Sequence, residues 1–258
     1  MTLPFIIGED SANEVVFVDF EQLPHLFVSY NDEAQIREFI GSLISSLQLN
    51  NNGLLVDYAL AVSARNHHLT LRRDCNIKYC FVSDDYLMSN VGSKLKFMQA
   101  LLKEMRSRSI YFRKLAEGKP EKKKQVPHLI ILLHDVFDIV LSSKKSIGQI
   151  FLQLLLLGKA LKMHVVAASG NSYRMLLKQL ANLDPSVMRK FRNQFGHDHL
   201  NIVTPLGAEL VITAEDFIFF KKANAIDYQR LYPARKSLHE SLSYIPRVTT
   251  TLPMVAPC

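Results

Sequence analysis

Three polar residues that could do chemistry follow an unbroken aliphatic run at residues 129–133. The run is typical of a central parallel strand buried on both faces; His134 and Asp135 come directly after it, and Asp138 follows three positions later. Such residues lie at the carboxyl edge of the sheet, where a carboxylate such as Asp135 could act as a base. The simpler interpretation is that His134 and Asp135 merely end the strand.

Other residues of metal-binding types lack the further ligands that a metal site needs. The segment 197–199 reads His-Asp-His, but no cluster of Cys or Glu stands nearby, and an exposed turn after Gly196 explains it. Cys75, Cys80 and Cys258 form no CxxC pair and are odd in number, which argues against both a disulfide framework and a four-ligand zinc site. We therefore expect reduced thiols and no metal site.

Two groups of cations could contact the phosphates of a polyanion. One is the lysine run Lys122, Lys123 and Lys124, and the other is formed by Arg189, Lys190 and Arg192 around an aromatic residue. A solvated loop explains the first group equally well, and cations near the carbonyls of a helix end explain the second. The formal net charge of +7 and the pI near 9.2 permit a polyanionic partner without requiring one.

Strand-length apolar runs alternate with segments of helical period, which predicts a parallel sheet covered by helices on both faces. The predicted strands cover residues 26–28, 53–56 (ending at Asp57), 129–133, 163–168 and 216–220, and the predicted helices cover 36–47, 94–115, 147–161 and 175–183. In the second helix the cations Lys103, Arg106, Arg108, Arg113 and Lys114 fall largely outside the apolar stripe. We expect one domain at 1–235 and an extended tail at 236–258.

Short motifs follow one another along the chain with recognisable order and spacing. They are a lead-in at 8–19, PHLFV at 24–28 with SLISSL at 42–47, KEMRSR at 103–108, PHLIILLHDVFD at 127–138, LGKALKMHVVAAS at 157–169, GAEL at 207–210 and DFIF at 216–219. Together they resemble the motor domain of the FtsK/SpoIIIE family of DNA-translocating ATPases. The resemblance implies a lead-in hairpin and an α/β fold of three layers, the RecA-like P-loop NTPase fold, with a mostly parallel central sheet flanked by helices.

The resemblance places residues 29–37 where the family has its phosphate-binding loop, the Walker A motif. Such a loop needs glycines for its backbone N–H groups, a Lys for the terminal phosphates and a Ser or Thr for magnesium. Here Ile36 stands at the Lys, Arg37 stands at the Ser or Thr, and no glycine is present. Asp32 and Glu33 also oppose a triphosphate by charge. The segment as a whole is Ser29, Tyr30, Asn31, Asp32, Glu33, Ala34, Gln35, Ile36 and Arg37.

The second nucleotide motif, Walker B, departs from the family in the same way. His134 stands at the magnesium-supporting Asp and Asp135 at the catalytic Glu, while Asp138 lies within the same motif. Gly170 and Asn171 occupy the place of the nucleotide-sensing Gln and its following Arg. We therefore expect no catalytic residue and no cofactor, although ATP and magnesium serve intact family members.

Three functional hypotheses follow. The chain is a non-catalytic pseudo-ATPase that forms a hetero-oligomer with an active FtsK-like ATPase, or a homo-oligomeric ring, in a DNA-translocation or secretion-type assembly. Alternatively it binds double-stranded DNA without ATP, or, least in keeping with the motifs, it is an active translocase. Because no transmembrane segment is evident, we expect a cytoplasmic protein, with membrane association through a partner as an alternative.

Overall fold

The computed structural model of the chain describes residues 3–50, 56–63, 77–83, 91–118, 126–135, 145–170, 208–213, 216–220 and 228–233. Ten strands lie in these ranges: β1 (Pro4–Glu9), β2 (Val15–Asp19), β3 (His25–Tyr30), β4 (Val56–Ser63), β5 (Ile77–Ser83), β6 (His128–His134), β7 (Met163–Ser169), β8 (Ala208–Ile212), β9 (Phe217–Phe220) and β10 (Gln229–Leu231). The helices are α1 (Glu33–Asn50), α2 (Val91–Ala116) and α3 (Lys145–Leu157), followed by a 3-10 turn (Lys159–Leu161).

The described strands form one large sheet and one separate hairpin. The sheet has eight strands in the order β10-β9-β8-β3-β7-β6-β4-β5, and the six strands from β8 to β5 are parallel. Strands β9 and β10 extend it in antiparallel fashion. Strand β1 pairs with β2, and Glu9 at its end forms an isolated antiparallel bridge with Tyr232. The predicted α/β class with a mostly parallel sheet is confirmed, and so is the lead-in hairpin.

Alternating side chains of the central strands bury two different layers. In β6, Leu129, Ile131 and Leu133 join the core that contains the inner faces of α2 and α3. Ile130 and Leu132 point to the opposite face, into a second core shared with α1 and the β1-β2 hairpin. Because successive side chains of a strand point to opposite faces, an unbroken aliphatic strand requires cover on both sides. The result is the predicted three-layer arrangement.

Helix α1 follows β3 and covers the second core with one apolar stripe. The helix runs from Glu33 to Asn50 and so extends past the predicted segment at both ends. The apolar positions of the predicted stripe are all buried: Ile36, Phe39, Ile40, Leu43, Ile44 and Leu47. On the same face, the hydroxyl of Ser46 accepts a hydrogen bond from the N–H of Ile6 at 3.2 Å. This contact fixes the hairpin over the helix. Among the described helices, none is long and apolar enough to cross a bilayer.

Two expectations about local structure are wrong. The strand predicted to end at Asp57 instead begins at Val56 and runs to Ser63, between β5 and β6. The polar and small residues of this strand give only a weak strand signal. Its burial on both faces depends on neighbouring strands and helices that the local sequence does not show. The second concerns Arg108, which the sequence pattern puts largely outside the apolar stripe of α2 but which is only 3% exposed. The predicted helix 175–183 and tail 236–258 lie outside the described residues.

Arg108 is buried because its guanidinium finds an acceptor for most of its donors. Its Nε donates to Glu104 Oε1 at 2.8 Å, and its Nη1 lies 2.8 to 3.1 Å from the carbonyl oxygens of Pro127, Leu161 and Lys162. Those carbonyls belong to the segments that lead into β6 and β7. A buried charge is tolerated where it is paired and hydrogen-bonded, so this arginine ties α2 to the amino edge of the sheet.

Candidate functional site

The carboxyl ends of β3 and β6 bring together residues that are more than one hundred positions apart. Strand β3 ends at Tyr30 and α1 begins at Glu33, so only Asn31 and Asp32 connect them. Strand β6 ends at His134, with β7 between it and β3 in the sheet. In open α/β sheets this edge, next to a change in strand order, is where ligands bind.

The first turn of α1 is capped by a carboxylate of the chain itself. Asp32 Oδ1 accepts a hydrogen bond from the N–H of Ala34 at 2.8 Å, and the carbonyl oxygen of Asp32 accepts one from Ile36 at 3.2 Å. A helix amino terminus carries unsatisfied N–H groups and partial positive charge, which suit an anion. Here the Asp32 carboxylate supplies that anion.

The two residues at the expected Lys and Ser or Thr positions face other parts of the molecule. Ile36 is fully buried in the core beneath α1, where it packs with the apolar residues of β3. Arg37 is partly exposed, and its Nε donates to the carbonyl oxygen of Glu33 at 3.2 Å. Ile36 therefore contributes packing energy at a position where a phosphate-binding Lys would contribute charge.

Four side chains form a polar cluster at this edge, which we call the carboxyl-edge cluster: Tyr30, Glu33, His134 and Asp135. The Tyr30 hydroxyl lies 2.9 Å from Asp135 Oδ1, 3.3 Å from Glu33 Oε1 and 3.4 Å from His134 Nε2. Asp135 Oδ2 is 3.3 Å from His134 Nδ1, and Glu33 Oε2 is 3.7 Å from His134 Nε2. The Tyr30 and His134 rings stack with centroids 5.7 Å apart.

The cluster shifts the ionisation of two of its members in opposite directions. Burial and the neighbouring charge of Asp135 raise the pKa of the Tyr30 hydroxyl far above its ordinary value, so Tyr30 remains a hydrogen-bond donor. Burial raises the pKa of Asp135, but the hydrogen bond and charge of His134, together with the Tyr30 bond, outweigh it and hold that pKa below its ordinary value. Asp135 is therefore an anion at neutral pH.

The structure accounts for some of the predicted site residues and not for others. Ser29 and Tyr30 close β3, while Glu33, Ala34, Gln35, Ile36 and Arg37 form the start of α1. Gly170 directly follows β7. Asp138, Asn171, the 197–199 segment and all the predicted DNA-binding cations lie outside the described residues; those cations are Lys122, Lys123, Lys124, Arg189, Lys190 and Arg192.

The sequence resemblance brought the segments 29–37 and 134–135 to one site, but it did not predict the role of Tyr30. Its hydroxyl lies within 3.4 Å of all three other members of the carboxyl-edge cluster. No motif marks this tyrosine, because the contact depends on how β3 and β6 are placed in the sheet. In the sequence, an aromatic residue at the end of an apolar run indicates only a buried strand.

Three histidines at the opposite edge of the sheet were also missed. His25, His164 and His128 stand at or next to the first residues of the adjacent strands β3, β7 and β6, and all three are buried. We call them the amino-edge histidines. A usable signal was present in the sequence, since Pro-His directly precedes an apolar run twice, at 24–25 and at 127–128.

Hydrogen bonds fix the proton positions of the amino-edge histidines. His25 Nε2 donates to the Leu155 carbonyl oxygen at 3.0 Å, and its Nδ1 accepts from the N–H of Val165 at 3.1 Å. His164 Nδ1 donates to the Pro24 carbonyl oxygen at 3.1 Å. Its Nε2 therefore accepts from His128 Nδ1, 2.9 Å away. In the neutral state these histidines use five of their six nitrogens in these bonds.

Burial lowers the pKa of each amino-edge histidine. The pKa falls to about 4 for His25 and about 4 for His128, and to about 3 for His164, where the neighbouring histidines add to the effect of burial. The sixth nitrogen, His128 Nε2, lies 3.5 Å from Glu21 Oε1. These residues are neutral at neutral pH and belong to the core.

Comparison of sequences finds distant relatives among DNA translocases. No family model matches the chain. DNA translocase FtsK from two serovars of Leptospira interrogans is 22% identical over 245 aligned residues, which cover 89% of this chain. The chain spans 25% of the length of these curated relatives.

Comparison of structures finds the same fold in ATPases of secretion and conjugation systems. The cytoplasmic domain of the type VII secretion ATPase EccC of Thermomonospora curvata matches with a TM-score of 0.64 and 16% identity, over 90% of this chain and 28% of that one. The conjugation coupling protein TcpA of pCW3 matches with a TM-score of 0.57 and 12% identity, over 94% of this chain and 70% of that one. The chain therefore has the RecA-like P-loop ATPase fold, and its resemblance to an FtsK/SpoIIIE-type motor domain is confirmed.

Proposed function

We propose that this chain is a non-catalytic FtsK/SpoIIIE-like domain that serves as an interaction or regulatory subunit of a DNA-translocation or secretion-type assembly. The assembly class rests on the likeness to FtsK and to the secretion and conjugation ATPases. The absence of catalysis rests on one observation above all. The helix terminus that would receive a phosphate already holds the carboxylate of Asp32.

The surrounding residues do not fit a magnesium-bound nucleotide. The connection from β3 to α1 is two residues long, too short for a glycine-rich loop to wrap phosphates with its N–H groups. Asp32, Glu33 and Asp135 all bring negative charge to this edge. Like charges repel, so these residues act against a triphosphate, and Ile36 offers no compensating cation.

The nucleotide-site proposal is tested by titrating the chain with Mg-ATP in a calorimeter. We expect no saturable heat up to about 1 mM nucleotide, which corresponds to less than about 4 kcal/mol of binding free energy. A catalytically intact FtsK motor domain titrated under the same conditions is the positive control. Micromolar affinity of this chain for Mg-ATP would overturn the proposal.

The partner proposal is tested separately, with the chain and an FtsK-type ATPase from the same genome produced together. A domain that keeps the fold and lacks chemistry can contribute only by contact, so we expect mixed oligomers of defined stoichiometry in native mass spectrometry. Each protein produced alone is the control. If the two chains never share an oligomer, the ATPase is not the partner.

A second candidate function, DNA binding without ATP, is favoured by the solvent face of α2. Lys96, Lys103, Arg106 and Arg113 are exposed there. At 100° per residue they fall within a sector of roughly 100° along the helix. This stripe could follow the phosphates of a duplex, whose contact with cations weakens as salt rises.

The DNA-binding candidate is tested by mobility shift at low salt with a duplex of arbitrary sequence. We expect the double substitution of Lys103→Gln and Arg106→Gln to weaken binding roughly tenfold, with a shallower salt dependence. Arg37→Gln removes a cation at the carboxyl edge and serves as the matched control. An absent shift at low salt, or an equal loss in the control, would dispose of this candidate.

A further inference from the structure

We propose that Glu33, His134 and Asp135 form a binding site for a divalent transition-metal ion, which the chain holds without any nucleotide. Each residue offers one ligand atom, and these atoms lie within 4.8 Å of one another. The inference goes beyond the proposed function. It assigns a ligand to an edge from which the Asp32 cap and the local charge are proposed to exclude ATP.

The spacing of the donor atoms is close to that of a metal coordination shell. Bonds of about 2.0 to 2.2 Å place adjacent ligands about 3 to 3.6 Å apart. Glu33 Oε2 is 3.7 Å from His134 Nε2, and the three ligand atoms, one from each residue, all lie within 4.8 Å of one another. The Tyr30 hydroxyl lies within 3.4 Å of all three side chains and offers a fourth ligand atom. Small side-chain rotations would therefore complete the shell.

The site combines one rigid ligand with two that face solvent. The His134 side chain is fully buried at the end of a central strand and stacks on Tyr30, which fixes its orientation. The side chains of Glu33 and Asp135 are 51% and 41% exposed. An ion can thus enter from solvent, and the carboxylates can close on it without moving the sheet.

Charge also favours an ion at this place. Glu33 and Asp135 are carboxylates on either side of one hydroxyl, and the single proton of Tyr30 can be donated to only one of them at a time. The two carboxylates together carry two negative charges, which a divalent ion neutralises.

The donor set selects the class of metal. One imidazole nitrogen with carboxylate and phenol oxygens suits zinc and its transition-metal neighbours. Magnesium and calcium prefer shells made of oxygen alone. We therefore expect zinc to bind and magnesium in the same concentration range not to compete with it.

The test is a titration of the full chain with ZnCl₂ in the absence of nucleotide, read by calorimetry. We expect Glu33→Gln and Asp135→Asn each to weaken one zinc site by roughly tenfold or more. Glu38→Gln, at an exposed position of the same helix, is the matched control and should leave that site unchanged. Two ligand variants are used so that a folding failure in one, checked by its melting curve, leaves the other to decide.

Localisation comes from crystals soaked in zinc, with anomalous scattering measured at the zinc edge. A peak between Glu33, His134 and Asp135 supports the proposal. Equal zinc affinity in wild type and both ligand variants, or an anomalous peak only at other residues, overturns it. Because nucleotide is absent throughout, a negative result leaves the pseudo-ATPase proposal intact, and ATP binding would not alter the zinc result.

Discussion

The two edges of the central sheet use histidine in opposite ways. At the amino edge, His25, His128 and His164 are buried and bonded to one another or to backbone groups. At the carboxyl edge, His134 is just as buried but faces two half-exposed carboxylates. The comparison shows that burial alone does not give a histidine its role. The groups around its two nitrogens do so.

The charge states of the residues at the two edges follow from this difference. At the amino edge burial removes the charged form, so the histidines act as neutral packing and hydrogen-bonding groups. At the carboxyl edge the interaction with His134 keeps Asp135 ionised despite burial. The amino edge contributes stability, while the carboxyl edge carries negative charge to which a ligand could bind. Four substitutions or conditions test this contrast, beginning with the largest expected effect.

Replacing His25 with Ala should lower the free energy of unfolding by about 4 kcal/mol. The change leaves a cavity and also removes partners from the Leu155 carbonyl and the Val165 N–H, both of which are buried. Urea unfolding followed by circular dichroism measures the loss. A cost below about 1 kcal/mol would mean that the amino edge is not the packed network described.

Arg108→Ala should cost about 2 to 3 kcal/mol, because three carbonyl oxygens near the amino edge lose a charged donor. Arg106→Ala, two positions away on the exposed face of α2, is the matched control and should change stability by less than about 0.5 kcal/mol. The same unfolding experiment compares the two. Equal effects would contradict the buried placement of Arg108.

Lowering the pH from 7.5 to 5 should destabilise the fold through the amino-edge histidines. The pKa of His25 is about 4 in the folded chain and 6.5 as an unperturbed group, so the unfolded chain binds protons first as pH falls. The stability that neutral His25 contributes is fully present above pH 6.5 and is lost as the pH falls towards 4. At pH 5 His25 alone accounts for about 2 kcal/mol.

The pH effect has an internal control at the carboxyl edge. The pKa of Asp135 is held below its ordinary value of 3.8, so this residue stays ionised across the same interval. His25→Ala should therefore flatten the pH dependence, and Asp135→Asn should leave its slope unchanged. Unfolding curves at several pH values measure both slopes. The contrast between the edges fails if the Asp135 variant flattens the profile as much as the His25 variant.

Tyr30→Phe should have the smallest effect, about 1 kcal/mol. The ring remains packed in the core, and the partly exposed Asp135 can exchange the lost hydroxyl for water. Because Asp135 also loses a donor that stabilises its anion, its pKa should rise towards the ordinary value, which carboxylate NMR can follow. An unchanged Asp135 pKa would contradict the hydrogen bond from Tyr30.

Much of the fold was predictable because its signals are local. The buried run at 129–133 and the apolar stripe of α1 gave one central strand and one covering helix with nearly the observed bounds. Strand β4 was misplaced because Asp57 and its alanines carry no strong strand signal, and its central position follows from pairing with β5 and β6. The candidate site was predictable only through the order of motifs, which placed residues 29–37 beside 134–135.

By itself, the sequence determined which chemical groups are present and which are missing at the strand ends. The stretch at 29–37 has no glycine, has Ile36 at the Lys position and has two consecutive acids, Asp32 and Glu33, and residue type alone fixes all of this. Only the tertiary structure decided that Asp32 caps α1, that Arg108 is buried, and that Tyr30 reaches Asp135. These outcomes depend on distances between strands that are adjacent in space and remote in the chain, where a few ångströms decide whether a group is bonded, buried or free to bind a ligand.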